Sequence, residues 1–339
     1  MKQKRILIVR PDRIGDVVLS TPIPREIKNQ FPDSFVAVLL RKYTQAVYLN
    51  NPNVDKILLI DDIPNQSKNF FWNKVKEIRS FKFTHALMLL PNEKINYILF
   101  FAGIKKRIGV GTKFYQAITG VKGVSRNKYI PLRHEADYSM DLARVIGVKT
   151  NNLSPEIYLT GGERKEIAGI RNDLLNGKKY LIGVHATSGN SAPNWKPAIY
   201  ADLINKLEIN KNVEVVNTDF DVPEEIKQSA NIKFINKGSG LRNTILNIAA
   251  LDLLVSASTG PMHIASALGV KTVSLFCPLT ACSPKLWGPL GNENKVLLPP
   301  ENYCKNNCPG DPKNCDYNGE SGISIERVIE EINSLLHFK

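Results

Sequence analysis

No stretch of this chain is apolar for long enough to cross a bilayer. The longest candidates, FVAVLL (35–40) and INYILFFAGI (95–104), fall well short of the ~18 apolar residues a spanning helix needs. A secretory leader is missing as well: the basic start MKQKR meets only a short apolar run before RPDR, so the chain is expected to be made and kept in the cytoplasm. Cysteine is scarce and odd in number, five residues, which without a leader argues against a disulfide framework. Acidic residues are outnumbered, 32 against 45 Lys and Arg, and the net charge of +13 favours anionic partners. Nucleic acid is not the favoured one. The cations are scattered, and neither a basic helix nor an aromatic RNA-binding signature is present. Phosphorylated small molecules or lipids rank above it.

What is present is alternation. The 339 residues suggest two domains at ~150 residues each. In the first half, strand-like runs RILIV, FVAVLL, KILLID, HALMLL and KRIGV alternate with helix-like stretches PIPREIKNQF, TQAVYLNN, FWNKVKEIRSF and INYILFFAGI, and HEADYSMDLARVIG adds another helix. That is the pattern of a parallel sheet covered on both faces by helices. The Gly-Gly pair in LSPEIYLTGGERKE marks a boundary, giving domains of 1–158 and 159–339. The second half restarts the scheme with KYLIGVHATSGN, VEVVNT, LDLLVSAS and KTVSLFCP. It ends on an amphipathic helix, ISIERVIEEINSLL, capped by Ser324 and free to pack back on the first domain. No sequence repeat relates the halves. Two such sheets facing each other would form a cleft lined by the carboxyl ends of their strands, where open α/β sheets bind ligands.

Two stretches carry chemistry. In RILIVRPDRIGDVVLSTP a carboxylate, Asp16, sits where the first strand hands over to a helix. In LDLLVSASTGPMHIASALG a buried strand ends in small residues and Pro261 suits the first turn of a helix. Free N–H groups there, close approach at Gly260, the hydroxyls of Ser258 and Thr259 and a donor from His263 would make a diphosphate site without metal. A tight strand–helix connection with a capping Thr accounts for the same residues.

RPDRIGDVVLSTP, NPNVDKILLID, KRIGVG and STGPMHIASALG, in that order, resemble the family 9 glycosyltransferases, typified by ADP-heptose:lipopolysaccharide heptosyltransferases. The resemblance runs nearly end to end. It implies a GT-B architecture: two Rossmann-like domains facing across a cleft, the first binding acceptor and the second nucleotide sugar. It implies inverting transfer of a heptose or related sugar to a lipopolysaccharide-core or other lipid-linked acidic acceptor, with no cofactor required and peripheral contact with the inner membrane surface. Asp16 matches the family's proposed general base. Ser258, Thr259, Gly260, Pro261, Met262 and His263 match its donor loop. Arg10, Arg13, Gly15 and Arg107 are expected to flank the acceptor, among scattered cations that include Lys105, Lys106, Lys113 and Arg126. A sugar-nucleotide epimerase of the same fold and a non-catalytic sugar-binding protein are the alternatives.

The sequence also departs from the family pattern. Ser258 stands where relatives usually carry Asp. In APNWKP, Trp195 keeps its place but Pro193 replaces a lysine, so Lys196 is expected to reach the phosphates, or else Thr187 and Ser188 stabilise the leaving ADP. TDFDVPEE offers Asp219, Asp221 and Glu224 for a ribose contact or plain solvation, in preference to a metal. Cys304, Cys308 and Cys315 in CKNNCPGDPKNC would hold zinc or iron if Cys277 or Cys282 completed a set of four, or stand as reduced thiols.

Overall fold

A computed structural model describes residues 3–61, 69–111, 113–189, 192–228, 232–311, 314–317 and 322–337. The chain divides into two compact units, Met1–Tyr158 and Leu159–Lys339. The first holds strands β1 (Arg5–Val9), β2 (Phe35–Leu40), β3 (Lys56–Leu59), β4 (His85–Met88), β5 (Lys106–Val110) and β6 (Lys122–Val124). The second holds β7 (Tyr180–His185), β8 (Val213–Asn217), β9 (Lys233–Phe234), β10 (Leu253–Ala257), β11 (Lys271–Leu275) and β12 (Asn294–Leu297).

Every pairing is parallel, and the strand orders are β3-β2-β1-β4-β5-β6 and β12-β11-β10-β7-β8-β9. Read from its own first strand, each is the doubly wound order 3-2-1-4-5-6. The central strands are mostly apolar and buried, with polar residues such as Arg5, His85, His185 and Ser256 near their ends, as strands covered on both faces require. In β1, Leu7 and Val9 join Ala37, Leu39, Ala86 and Met88 against Val75, Ile78, Ile98 and Leu99. Ile6 and Ile8, pointing the other way, are just as buried.

The boundary falls at a cap. The Thr160 hydroxyl accepts from the Glu163 N–H at 3.1 Å while the Glu163 carboxylate accepts from the Thr160 N–H at 2.7 Å, starting the helix Gly161–Leu175. Hydrogen bonding from Arg242 does most to pull the Glu163 carboxyl down to about 2. The stretch LSPEIYL before it has no regular secondary structure and pairs into neither sheet. At the other end, Ser324 caps the helix Ile325–Leu336, accepting from the Arg327 N–H at 3.4 Å. Val328, Ile332, Leu335 and Leu336 of that helix belong to the second unit's own core, with Val184, Val255 and Val273, so its apolar face is spent there.

Candidate active site

In each unit the chain turns outward in opposite directions from two adjacent central strands, opening a crevice at their carboxyl ends. In the first unit these strands are β1 and β4. Arg10, the residue after β1, is buried and reaches across the crevice, donating to the Leu89 carbonyl after β4 at 3.0 Å. The same guanidinium donates to a carboxylate oxygen of Asp16 and, at 3.3 Å, to Glu135. Glu135 lies on the helix Glu135–Arg144 and is gripped again by Arg126 at 2.6 and 2.7 Å. Two cations and two anions therefore interlock. Burial raises the Asp16 carboxyl to about 6, working against the opposing pull of Arg10, with Asp12 and Glu135 adding to the rise. A carboxylate that keeps its charge at neutral pH yet accepts a proton readily is suited to general-base work.

Beside it, along the same carboxyl edge, lies a cavity of about 370 Å³ lined in part by Pro11, Arg41, Asp61, Phe70, Asn92 and Lys94. Arg41 and Lys94 escaped the sequence reading, since each is one cation among 45 until the sheet order sets it beside β1. Arg13 is exposed and Gly15 half-buried at the start of the short helix Ile14–Val18. Two expectations need correcting. Arg10 is consumed in holding Asp16 and is a positioning residue. Arg107 is second in β5, at the amino end of the sheet, and its buried guanidinium donates to the Ile104 and Thr119 carbonyls. It ties a loop at the wrong edge to meet an acceptor.

In the second unit the corresponding strands are β7 and β10. After β10, Thr259 caps the helix Gly260–Ala267 without a side-chain capping bond. Its hydroxyl is buried and has no partner among the described residues. Ser258, Gly260 and Pro261 are half-buried, whereas the side chains of Met262 and His263 are packed inside, so Met262 has only its N–H to present. The first-turn N–H groups have no carbonyl of their own helix to meet, and the unpaired hydroxyl lies beside them.

Asp219, after β8, is fully buried and saturated. It accepts from the N–H groups of Ala186 (3.0 Å) and Thr187 (2.9 Å), the Thr187 hydroxyl (2.7 Å) and the Asn217 amide (2.6 Å). It cannot also reach a ribose or a metal, and the ribose expectation for Asp219 is corrected on that ground: Asp219 buckles the loop after β7 to the end of β8. His185, the last residue of β7 and register partner of Ser256, joins this buckle, 3.2 Å from the Thr218 hydroxyl and 3.4 Å from that of Thr187. The only sequence signal for His185 was a polar residue closing an apolar strand. Ser188 hydrogen-bonds to the Ala192 carbonyl at 3.4 Å. Lys196 has a side chain 67% exposed and pairs with Asp316 at 3.1 Å, while Trp195 is buried with its ring N–H on the Ile323 carbonyl. Glu224 is exposed and pairs with Lys227. The thiols of Cys304, Cys308 and Cys315 are free, as are Cys277 and Cys282, and no metal-holding group of His, Cys, Asp or Glu forms among the described residues. Positions 312–313 of that cysteine segment lie outside the described residues.

Residues 72–312 match the model of glycosyltransferase family 9 (heptosyltransferase). The chain belongs to that family. The resemblance read from the four motifs is thereby borne out, and this family 9 glycosyltransferase has the GT-B fold of two Rossmann-like units. It is 23% identical to lipopolysaccharide heptosyltransferase 2 of Escherichia coli, with 98% of each chain covered. Among solved structures it resembles a family 9 glycosyl transferase from Veillonella parvula, with a TM-score of 0.79, 21% identity, and 98% and 97% of the two chains covered. It also resembles E. coli ADP-heptose lps heptosyltransferase II, with a TM-score of 0.76, 21% identity and 98% of each chain covered.

Proposed function

We propose that this glycosyltransferase moves a heptose or closely related sugar from a nucleotide diphosphate, ADP-heptose by analogy with its relatives, to a hydroxyl of a lipopolysaccharide-core or similar acidic, lipid-linked acceptor. Transfer inverts the anomeric centre in one displacement. The Asp16 carboxylate takes the acceptor hydroxyl's proton as its oxygen bonds to the anomeric carbon. The bond from that carbon to the diphosphate breaks, and ADP leaves with the electron pair. The observation that carries the reading is Asp16 itself: a carboxylate at the first unit's switch point, fixed by a buried Arg10 and raised to about 6. Acceptor recognition falls to Arg13, with Arg41 and Lys94 at the adjoining cavity. Nucleotide recognition falls to the Thr259 hydroxyl, the first-turn N–H groups of Gly260–Ala267, Ser188 and Ser258, with Glu224 left for the ribose. No metal takes part in this scheme. The acid acceptor and the lipid to which it is attached put the enzyme at the inner face of the cytoplasmic membrane.

Incubating the purified chain with a panel of nucleotide sugars and a truncated core acceptor tests the reading. ADP release that requires acceptor supports it. Isomerised donor without acceptor would select an epimerase, and binding without turnover a sugar-binding protein.

A further inference from the structure

The first unit has a second cavity, of about 440 Å³, at the opposite, amino edge of its sheet. It is lined by the starts of β4 and β5 and their neighbours, among them Lys4, His85, Lys105, Lys106 and Lys122, with no carboxylate in its wall. The ammonium group of Lys4 donates to the Ile146 carbonyl at 3.1 Å and sits 3.2 Å from the centre of the Phe31 ring. Lys105, Lys106 and Lys122 are exposed, and their ammonium groups make no hydrogen bond or ion pair among the described residues. His85 bonds Thr84 through one ring nitrogen. Burial first, then Lys106 and Lys4, lower its pKa to about 4.

An apolar patch adjoins the cavity. Arg107, in the cavity wall, lies over the Phe100 ring, 5.2 Å from its centre. Phe100 meets Phe101 edge-on at 5.4 Å, and Phe101 meets Trp72 at 5.5 Å. These three rings are 42%, 42% and 53% exposed. Clustered large aromatics left in water mark a surface meant to be covered.

We infer that this edge of the first unit docks on an anionic phospholipid bilayer, the aromatic rings entering the headgroup boundary and the lysine-lined cavity receiving lipid phosphates. A soluble phosphate would be satisfied by the lysines alone and would leave the rings unexplained. A bilayer interface satisfies both, because aromatic rings settle at headgroup depth and cations there are drawn to anionic lipid. The inference rests on the membrane contact proposed above and identifies the surface that makes it.

Cosedimentation with vesicles of equal parts phosphatidylglycerol and phosphatidylcholine, against vesicles of phosphatidylcholine alone, tests it. The wild type is expected to prefer the anionic vesicles. Lys105→Gln, Lys106→Gln and Lys122→Gln combined should weaken binding on the order of a hundredfold, about fivefold per lysine. Trp72→Ser with Phe101→Ser should weaken it about tenfold. Both variants should keep the wild-type melting temperature and the wild-type rate on a water-soluble truncated acceptor. Equal binding by wild type and variants, or none by wild type, overturns the inference. Binding of pyrophosphate that the triple lysine variant loses, without binding to vesicles by wild type, overturns it in favour of a soluble phosphate site. A wild type that transfers no sugar but still binds anionic vesicles overturns the function proposed above and supports the docking surface.

Discussion

Asp16 gives up its proton near pH 6, above the ordinary 3.8 of a free aspartate. The folded chain therefore binds that proton more tightly than the unfolded chain. The resulting stability penalty is fully present above about pH 6 and is relieved as the pH falls through 6 toward 3.8. Asp16→Asn removes the titration while Arg10 keeps Glu135. The variant should melt no lower than wild type at pH 7.5, and any advantage should disappear below pH 4. Its turnover should fall roughly a hundredfold or more, and the acid limb of the wild-type kcat/KM profile, with its midpoint near 6, should vanish with it. Near-normal turnover would move the base elsewhere. In the second unit Thr259→Val removes a buried hydroxyl that the folded chain leaves unpaired, so donor affinity should drop about tenfold while the melting temperature holds or rises. Calorimetry with ADP and a thermal melt read the two effects separately. Lys196→Ala breaks only an exposed pair with Asp316, and the donor KM should stay within about twofold of wild type.

Among elements, legibility followed burial. β1 and β2 were readable to the residue, because strands covered on both faces need unbroken apolar runs. The edge strands β6 and β12 are mostly half-buried or exposed and carry no such run, so KGV and NKVL gave no signal. TQAVYLNN has a helical look but forms a 3-10 turn over Lys42–Val47. At the site, the motif positions of Asp16 and Thr259 were legible because each follows a central strand. Arg107 was misjudged because a motif does not say which end of a strand faces the ligand. Glu135, bonded to an arginine 125 positions away, has no local signature at all. Asp219 was read as a ligand contact, and only the folded chain reveals four donors closing on it. Asp219→Asn turns an amide NH2 donor toward two of those donors and should cost about 3 kcal/mol in urea unfolding, with loss of ADP binding. Unchanged stability would leave Asp219 available for a ribose contact.

Across the whole molecule, a net charge of +13 suits the proposed handling of a diphosphate at one unit and an acidic acceptor at the other. Because N–H groups and hydroxyls take up the charge of the departing diphosphate in the proposed mechanism, transfer is expected to survive EDTA, and activity restored only by magnesium or manganese would overturn that. The two units repeat one strand order without sharing a sequence. Each sheet thus carries its own switch point, encoded in its own contiguous stretch of the gene. Under the proposed division of labour, what receives the sugar and which sugar is handed over can drift independently: mutations or recombination upstream of residue 159 re-address the enzyme, and changes downstream re-stock it, with neither half obliged to relearn the other's task.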